Sequence, residues 1–220
     1  MTKSARSLEQ RLRDVEDRLE IYDLIASHPP SADTGADYYT RLVYAEDGAL
    51  DLGRGAPVTG NETIAAITRT PGYQAAIAAG LAHFAGLPKL EIDGDKATVT
   101  SYLQILTPHP TAEPHEVPNH GVSNGFRIHR VAANRWDLAR TPDGWKIRRR
   151  TVRSIDGSDP PREILRGALK SYQSTNPSQS YQSTNRNLFW RMSLSENRCP
   201  LFRDMRYASM SCTSGMTLRP

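Results

Sequence analysis

The chain has 220 residues and a mass of 24.5 kDa, enough for one well-buried domain plus extra segments, with a formal net charge of +4. The charge is unevenly placed: from Arg166 onward eight Lys/Arg face only Glu196 and Asp204, which leaves residues 1–165 with 20 basic and 22 acidic groups. The basic balance therefore belongs to the C-terminal tail, and the body carries no nucleic-acid footprint.

The opening MTKSARSLEQRLRDVEDRLE is charged throughout and has no apolar stretch of the signal-peptide kind. Nowhere does the chain approach the ~18 uninterrupted apolar residues of a membrane-spanning helix. LEQRLRDVEDRLEIYDLIAS places Leu8, Leu12, Val15, Leu19, Tyr22 and Ile25 at spacings of three and four, one apolar stripe of a helix. Pro29 and Pro30 should end that helix at Ser27–His28 and leave Asp33 in a short loop. A second helix is predicted over Asp37–Tyr44, then a short strand over Gly48–Leu52 closed by the turn GRGAP. Asn61 is the predicted cap of NETIAAITRT, and AAIAAG gives a further helical turn ending at Gly80.

After Gly80 the period becomes two. Leu90 and Ile92 lead into a turn at Asp93-Gly94, and KATVTSYLQIL alternates Ala97, Val99, Ser101, Leu103 and Ile105 against Thr98, Thr100, Tyr102, Gln104 and Leu106, a hairpin. TPHPTAEPHEVPN reads as a loop, GVSNGFRIHRV and RWDLART as two strands, TPDGW as a second Asp-Gly turn and KIRRRTVRSI as the last strand. DPPREILRGALK supplies a closing helix with proline at its start, a candidate lid near 161–169. Helices first and long antiparallel strands after them predict an α+β architecture, with helices on one face of a curved sheet whose mouth suits a small-molecule pocket.

The domain is predicted over 1–165. Residues 170–220 form a low-complexity basic tail: SYQSTN begins at Ser171 and again at Ser180, and both cysteines (Cys199, Cys212) and every methionine but Met1 lie in it. Such composition cannot offset the entropy of ordering, and the expectation is a disordered or appended, non-native segment. The body's lack of cysteine fits a reducing cytoplasm.

Three ionisable positions converge in this scheme: Asp33 after the first helix, His83 opening the strand region, and the run Arg148–Arg150 on the last strand. An Asp–His pair is the usual general base, the carboxylate fixing the imidazole tautomer, and an arginine can stabilise a developing anion. Each has a bland counterpart as a turn former, half-buried polar residue or solvated strand face. His109, His115 and His120 flank the proline-rich loop at spacings that match no common ligand set, so no metal is expected, and His129 should be exposed.

The segments YAEDGALDLG, GNETIAAI, HF…KLEIDGDKATVTSYLQ and RWDLARTPDGWKIRRRTV resemble the SnoaL-like branch of the nuclear transport factor 2-like superfamily over residues 6–155. The resemblance implies a cone-shaped α+β barrel, commonly a dimer, around an apolar pocket. Relatives of this kind include scytalone dehydratase, hexachlorocyclohexane dehydrochlorinase, bile acid 7α-dehydratase, ketosteroid isomerase and polyketide cyclases, several using an Asp–His dyad with no cofactor. It implies Asp33, His83 and Arg150 as catalytic groups, Arg150 lying five residues after Trp145, with Arg153 its rival should the strand bulge. His28 stands where a relative has tyrosine and Gln104 where it has aspartate. Phe84, Leu87, Tyr102 and Trp136 are candidate pocket residues. The implied activity is that of a cofactor-independent lyase or isomerase, dehydration first, acting on a small apolar molecule such as a steroid or polyketide-like compound. The alternative is a non-catalytic ligand carrier or dimeric scaffold, including a dioxygenase small-subunit role.

Overall fold

The structure, a computed structural model, describes residues 7–170; the duplicated SYQSTN segment and the tail cysteines and methionines lie outside the described residues. Helix α1 (Leu8–Ala26) opens with Ser7, whose hydroxyl accepts from the Gln10 amide while the Gln10 side chain accepts from the Ser7 amide, a reciprocal capping box. The predicted stripe is not the face α1 buries. Leu8, Leu12, Val15, Leu19 and Tyr22 are exposed; of the stripe only Ile25 is buried, together with Asp17, Ile21 and Leu24. Asp17 can lie on the inner face because Arg140 donates to both of its carboxylate oxygens and the Trp145 indole N–H donates to one.

The double proline both ends α1 and begins α2 (His28–Thr34), where the loop was expected. Proline is tolerated in a first turn, whose N–H groups have no intrahelical partner. Gly35, at φ 68, ends α2 in the left-handed conformation that glycine adopts without strain. Helix α3 (Asp37–Val43) runs directly into β1 (Tyr44–Asp51), so the first strand begins four residues before the predicted one. After β2 (Val58–Thr59) comes α4 (Asn61–Ala66), whose cap is Gly60; Asn61 is the first helical residue, and its side chain instead accepts from the Glu62 amide. A 3-10 turn (Ile67–Arg69) and α5 (Pro71–Ala78) complete the helical half.

Strands β3 (Ala82–Ala85) and β4 (Lys89–Asp93) both pair antiparallel with β5 (Lys96–Pro108), β4 along its first half and β3 along its second. Asp93 pairs with Lys96, so the turn residues are Gly94 and Asp95, one step beyond the expected pair. The proline-rich loop holds a small hairpin, β6 (His115–Val117) with β7 (Gly121–Ser123). The two strands read from FRIHRV and RWDLART are one, β8 (Phe126–Thr141), because Val131–Asn134 continue the ladder without a break. Strand β9 (Gly144–Ser154) and α6 (Asp159–Gly167) follow.

The main sheet runs β2-β1-β9-β8-β5-β3, with β1 and β9 parallel and the other pairs antiparallel. It is curved and unclosed, and irregularities in three of its pairings locally bend it. Ile21, Leu24 and Ile25 of α1 meet Val99, Trp136, Leu138, Trp145 and Ile147 of the concave face in one core cluster. Helix α6 packs against β8, β9 and β5. Among the described residues, no helix is long and apolar enough to cross a membrane.

Candidate active site

Helix α2 is only seven residues long, but it sets one wall of a cavity. His28, Ser31 and Ala32, at positions i, i+3 and i+4, share its inner side, and Asp33 follows against β3. The cavity has a volume of about 200 Å³. Its apolar walls include Leu50, Leu52, Ile64, Leu103, Ile105 and Val152, and its larger polar groups are His28, Tyr44, Tyr73, His83, Arg130 and Arg150, beside the hydroxyls of Ser31, Thr40 and Thr68. A wider groove of about 710 Å³ between α1 and the β4–β5 turn is open and lined mainly by charged side chains, several of them paired with one another, far from this chemistry.

Asp33 grips His83 twice. One carboxylate oxygen lies 2.6 Å from Nδ1 and the other accepts from the His83 backbone N–H at 2.8 Å. A carboxylate only accepts, so Nδ1 carries the proton and Nε2 of the neutral ring is the basic lone pair. Holding backbone and ring together fixes the imidazole orientation, which is the part of a general base that a flexible histidine lacks.

Arg150 reaches the cavity because of one inserted residue. Asp137 pairs with Arg149 and Leu138 with Ile147, so Arg148 is bulged out of the ladder. Strict alternation from Trp145 and Ile147 would turn Arg149, Thr151 and Arg153 inward; the bulge turns Arg150 and Val152 inward instead. Arg150 Nε donates to Asn134 Oδ1 at 3.1 Å, and its guanidinium lies 5.4 Å from the Trp136 ring centre. Arg153 faces the other way, where it holds the Asp51 carboxylate at 2.8 and 2.9 Å together with Arg149. These two arginines and the Gly53 amide push Asp51 far below the usual carboxylate range.

His28 sits between Arg150 and His83. Its Nδ1 is a long 3.4 Å from Arg150 Nη1, and its ring meets those of His83 and Trp136 edge-on at 6.1 and 6.4 Å. Desolvation, and then the positive charge of Arg150, hold it well below the ordinary histidine range. Arginine only donates, so Nδ1 accepts and Nε2 carries the hydrogen.

The remaining sequence candidates divide by face. Trp136 is fully buried behind His28 and Arg150 and forms their backing, not the cavity wall. Phe84 pairs with Gln104 on the outer side of the sheet, Tyr102 lies two residues along the same face, and Phe84 and Tyr102 are 66 % and 50 % exposed. Leu87 is 99 % exposed in the β3–β4 connection. The structure therefore places Phe84, Leu87, Tyr102 and Gln104 outside the cavity, because alternation turns Leu103 and Ile105 inward. No residue of α6 is among those that line the cavity.

Sequence reasoning missed Arg130, Tyr44 and Tyr73. For Arg130 a signal existed: counting back in twos from Trp136 gives Asn134, Ala132 and Arg130, all on the concave face once β8 is read as one strand.

A curved sheet and helices enclosing such a cavity define the nuclear transport factor 2-like, cystatin-like class. The chain is 35% identical to a nuclear transport factor 2-like protein of cystatin-like fold from Novosphingobium aromaticivorans, over 75% of this chain and 99% of that one, with a TM-score of 0.63. It also shares its fold with a hexachlorocyclohexane dehydrochlorinase from Novosphingobium barchaimii, at 15% identity over 66% of this chain and 90% of that one, with a TM-score of 0.52. Residues 13–151 match the model of the SnoaL-like domain, and the chain belongs to that family. No functionally curated protein matches it.

Proposed function

We propose that the protein is a cofactor-independent lyase or isomerase, with dehydration of a small, largely apolar molecule as the leading reaction. The observation that carries this reading is the double grip of Asp33 on His83 at the wall of a cavity lined by leucine, isoleucine and valine. In the proposed step, Nε2 of His83 takes a proton from a carbon next to a carbonyl. The C–H pair forms the new double bond, the C–O bond of the neighbouring hydroxyl breaks, and the imidazolium returns its proton so that water leaves. Asp33 balances the imidazolium, and Arg150 stabilises the negative charge on the carbonyl oxygen. The fold shared with a dehydrochlorinase supports elimination chemistry only as an analogy.

The test is a thermal-shift screen of steroids, aromatic polyketide-like compounds, terpenoids and halogenated hydrocarbons against the intact protein, followed by turnover of each hit. His83→Ala should keep binding and lose turnover, and Asp33→Asn should lower kcat by roughly 10²–10⁴-fold, the range of positioned general bases. Hits bound equally by all three proteins and converted by none would make the protein a carrier or scaffold. A homodimer formed through the exposed Leu8, Leu12, Val15, Leu19 and Tyr22 seam of α1 completes the proposal, together with a cytoplasmic location in keeping with the cysteine-free body.

A further inference from the structure

Of the eight arginines of β8 and β9, Arg135, Arg140, Arg148, Arg149 and Arg153 each hold an aspartate, and the exposed Arg127 donates to the Thr107 hydroxyl. Arg130 and Arg150 hold none among the described residues, and both line the cavity. No Asp or Glu is among the cavity-lining residues; Asp33 stands behind His83 and is engaged by it. A charge taken out of water without a counter-ion is costly, and here two like charges share one small space. Burial lowers the proton affinity of both guanidiniums, and the charge of Arg150 acts against both Arg130 and His28. Of the four buried side-chain donors without a hydrogen-bond partner among the described residues, His28 Nε2 and Arg130 Nε belong to residues that line the cavity, and Asn134 Nδ2 and Trp136 Nε1 to the layer behind it. Tyr44 gives Arg150 a hydroxyl to bond but no negative charge, and a site with two positive charges and no carboxylate suits an anion.

We propose that the cavity takes an organic acid, whose apolar body fills the Leu, Ile and Val walls and whose carboxylate is held by Arg130 near the rim, which leaves Arg150, deeper in, to face the carbonyl oxygen. His83, Ile105 and Arg130 are direct neighbours across β3, β5 and β8. Two inter-strand steps of ~4.8 Å set His83 and Arg130 about 10 Å apart at their backbones, so a carboxylate at Arg130 leaves the acid's carbon skeleton facing Nε2 of His83. This deepens the proton-abstraction reading and rests on it for the placing of the reacting carbon. Arg130 is thereby a specificity residue. The exposed Arg54, whose charge acts on Arg130, adds to the field that draws an acid to the mouth.

The test is calorimetric titration of the full chain with benzoate and 1-naphthoate, each beside its methyl ester. The acids should bind at least tenfold tighter than the esters. Arg130→Gln should remove that preference by weakening the acids about tenfold and leaving the esters unchanged, with Arg130→Met as a second variant of similar length should the first fold poorly. Acid and ester bound alike, esters preferred, a loss shared equally by acids and esters in both variants, or no binding of any probe at millimolar concentration would each overturn the proposal. None of these readings needs turnover. Acid preference in this titration, with no hit of the thermal-shift screen turned over, would leave the anion site standing and remove the enzyme, and turnover of a screen hit with no acid preference here would do the reverse.

Discussion

His28 is neutral because its ring is desolvated and Arg150 and His83 face it from β9 and β3. The unfolded chain protonates this histidine below pH ~6.5, and the folded chain resists doing so until far lower. Below pH 6.5 the unfolded state therefore binds more protons, so this group makes folding less favourable as pH falls, by up to about 1.4 kcal/mol per unit. Urea denaturation at pH 7.0 and 5.5 should show a drop in unfolding free energy that is smaller in His28→Gln by about 1.4 kcal/mol. Equal drops in the two proteins would mean that His28 titrates normally. Asp17 and Asp51 act in a separate window. Their folded values are depressed, chiefly by hydrogen bonds from Arg140 and Arg153, so their contribution is full above the ordinary carboxylate value near ~3.9 and is lost only as pH falls through the lowered ones.

At the scale of elements, the bulge at Arg148 decides which arginine works in the cavity and which ties strands together. Arg153→Gln breaks a paired contact to the buried Asp51 and should lower stability by about 1–3 kcal/mol, leaving ligand affinity unchanged. Arg150→Gln should do the opposite, since it removes a positive charge that has no carboxylate partner. A urea titration and a ligand titration of both variants check the pair, and a cavity indifferent to Arg150 would refute the assignment. The sequence showed that one bulge would exchange these roles but could not place it, because a bulge is a property of two strands in register and not of either alone. Dyad residues far apart in the chain were legible through the family resemblance and the strand-opening position of His83. The double proline was legible only as a stop, since whether a helix begins there depends on what α2 packs against. Phe84, Tyr102 and Gln104 were misplaced for want of the phase that Leu103 and Ile105 set, and Arg130 was lost when β8 was cut in two.

For the molecule as a whole, α1 poses the main question, because its most regular apolar pattern faces away from its own fold. Leu8, Leu12, Val15, Leu19 and Tyr22 follow steps of four, three, four and three, the alternation of a coiled-coil seam, and all are exposed. The opposite side of the helix carries Asp17, which is tied to Arg140 and Trp145, so the seam cannot turn inward without breaking that contact. Flanking charges select the partner. Glu9, Glu16 and Asp23 line one side of the seam, and Arg11 and Arg18 the other. In a parallel pair of identical helices, Arg11 meets the second copy's Glu16 and Arg18 its Asp23; in an antiparallel pair, arginine meets arginine and glutamate meets glutamate. The pattern therefore suits a second copy of this chain lying parallel. Sedimentation of the wild-type chain should give twice its 24.5 kDa. Leu12→Lys with Leu19→Lys should give the monomer with its circular dichroism kept, since neither side chain belongs to the core. Arg18→Glu should weaken the dimer by setting acid against Asp23, and adding Asp23→Arg in the same chain should restore it, which no general loss of solubility or fold would do. A wild-type monomer, or a dimer indifferent to Leu12 and Leu19, would refute pairing through α1.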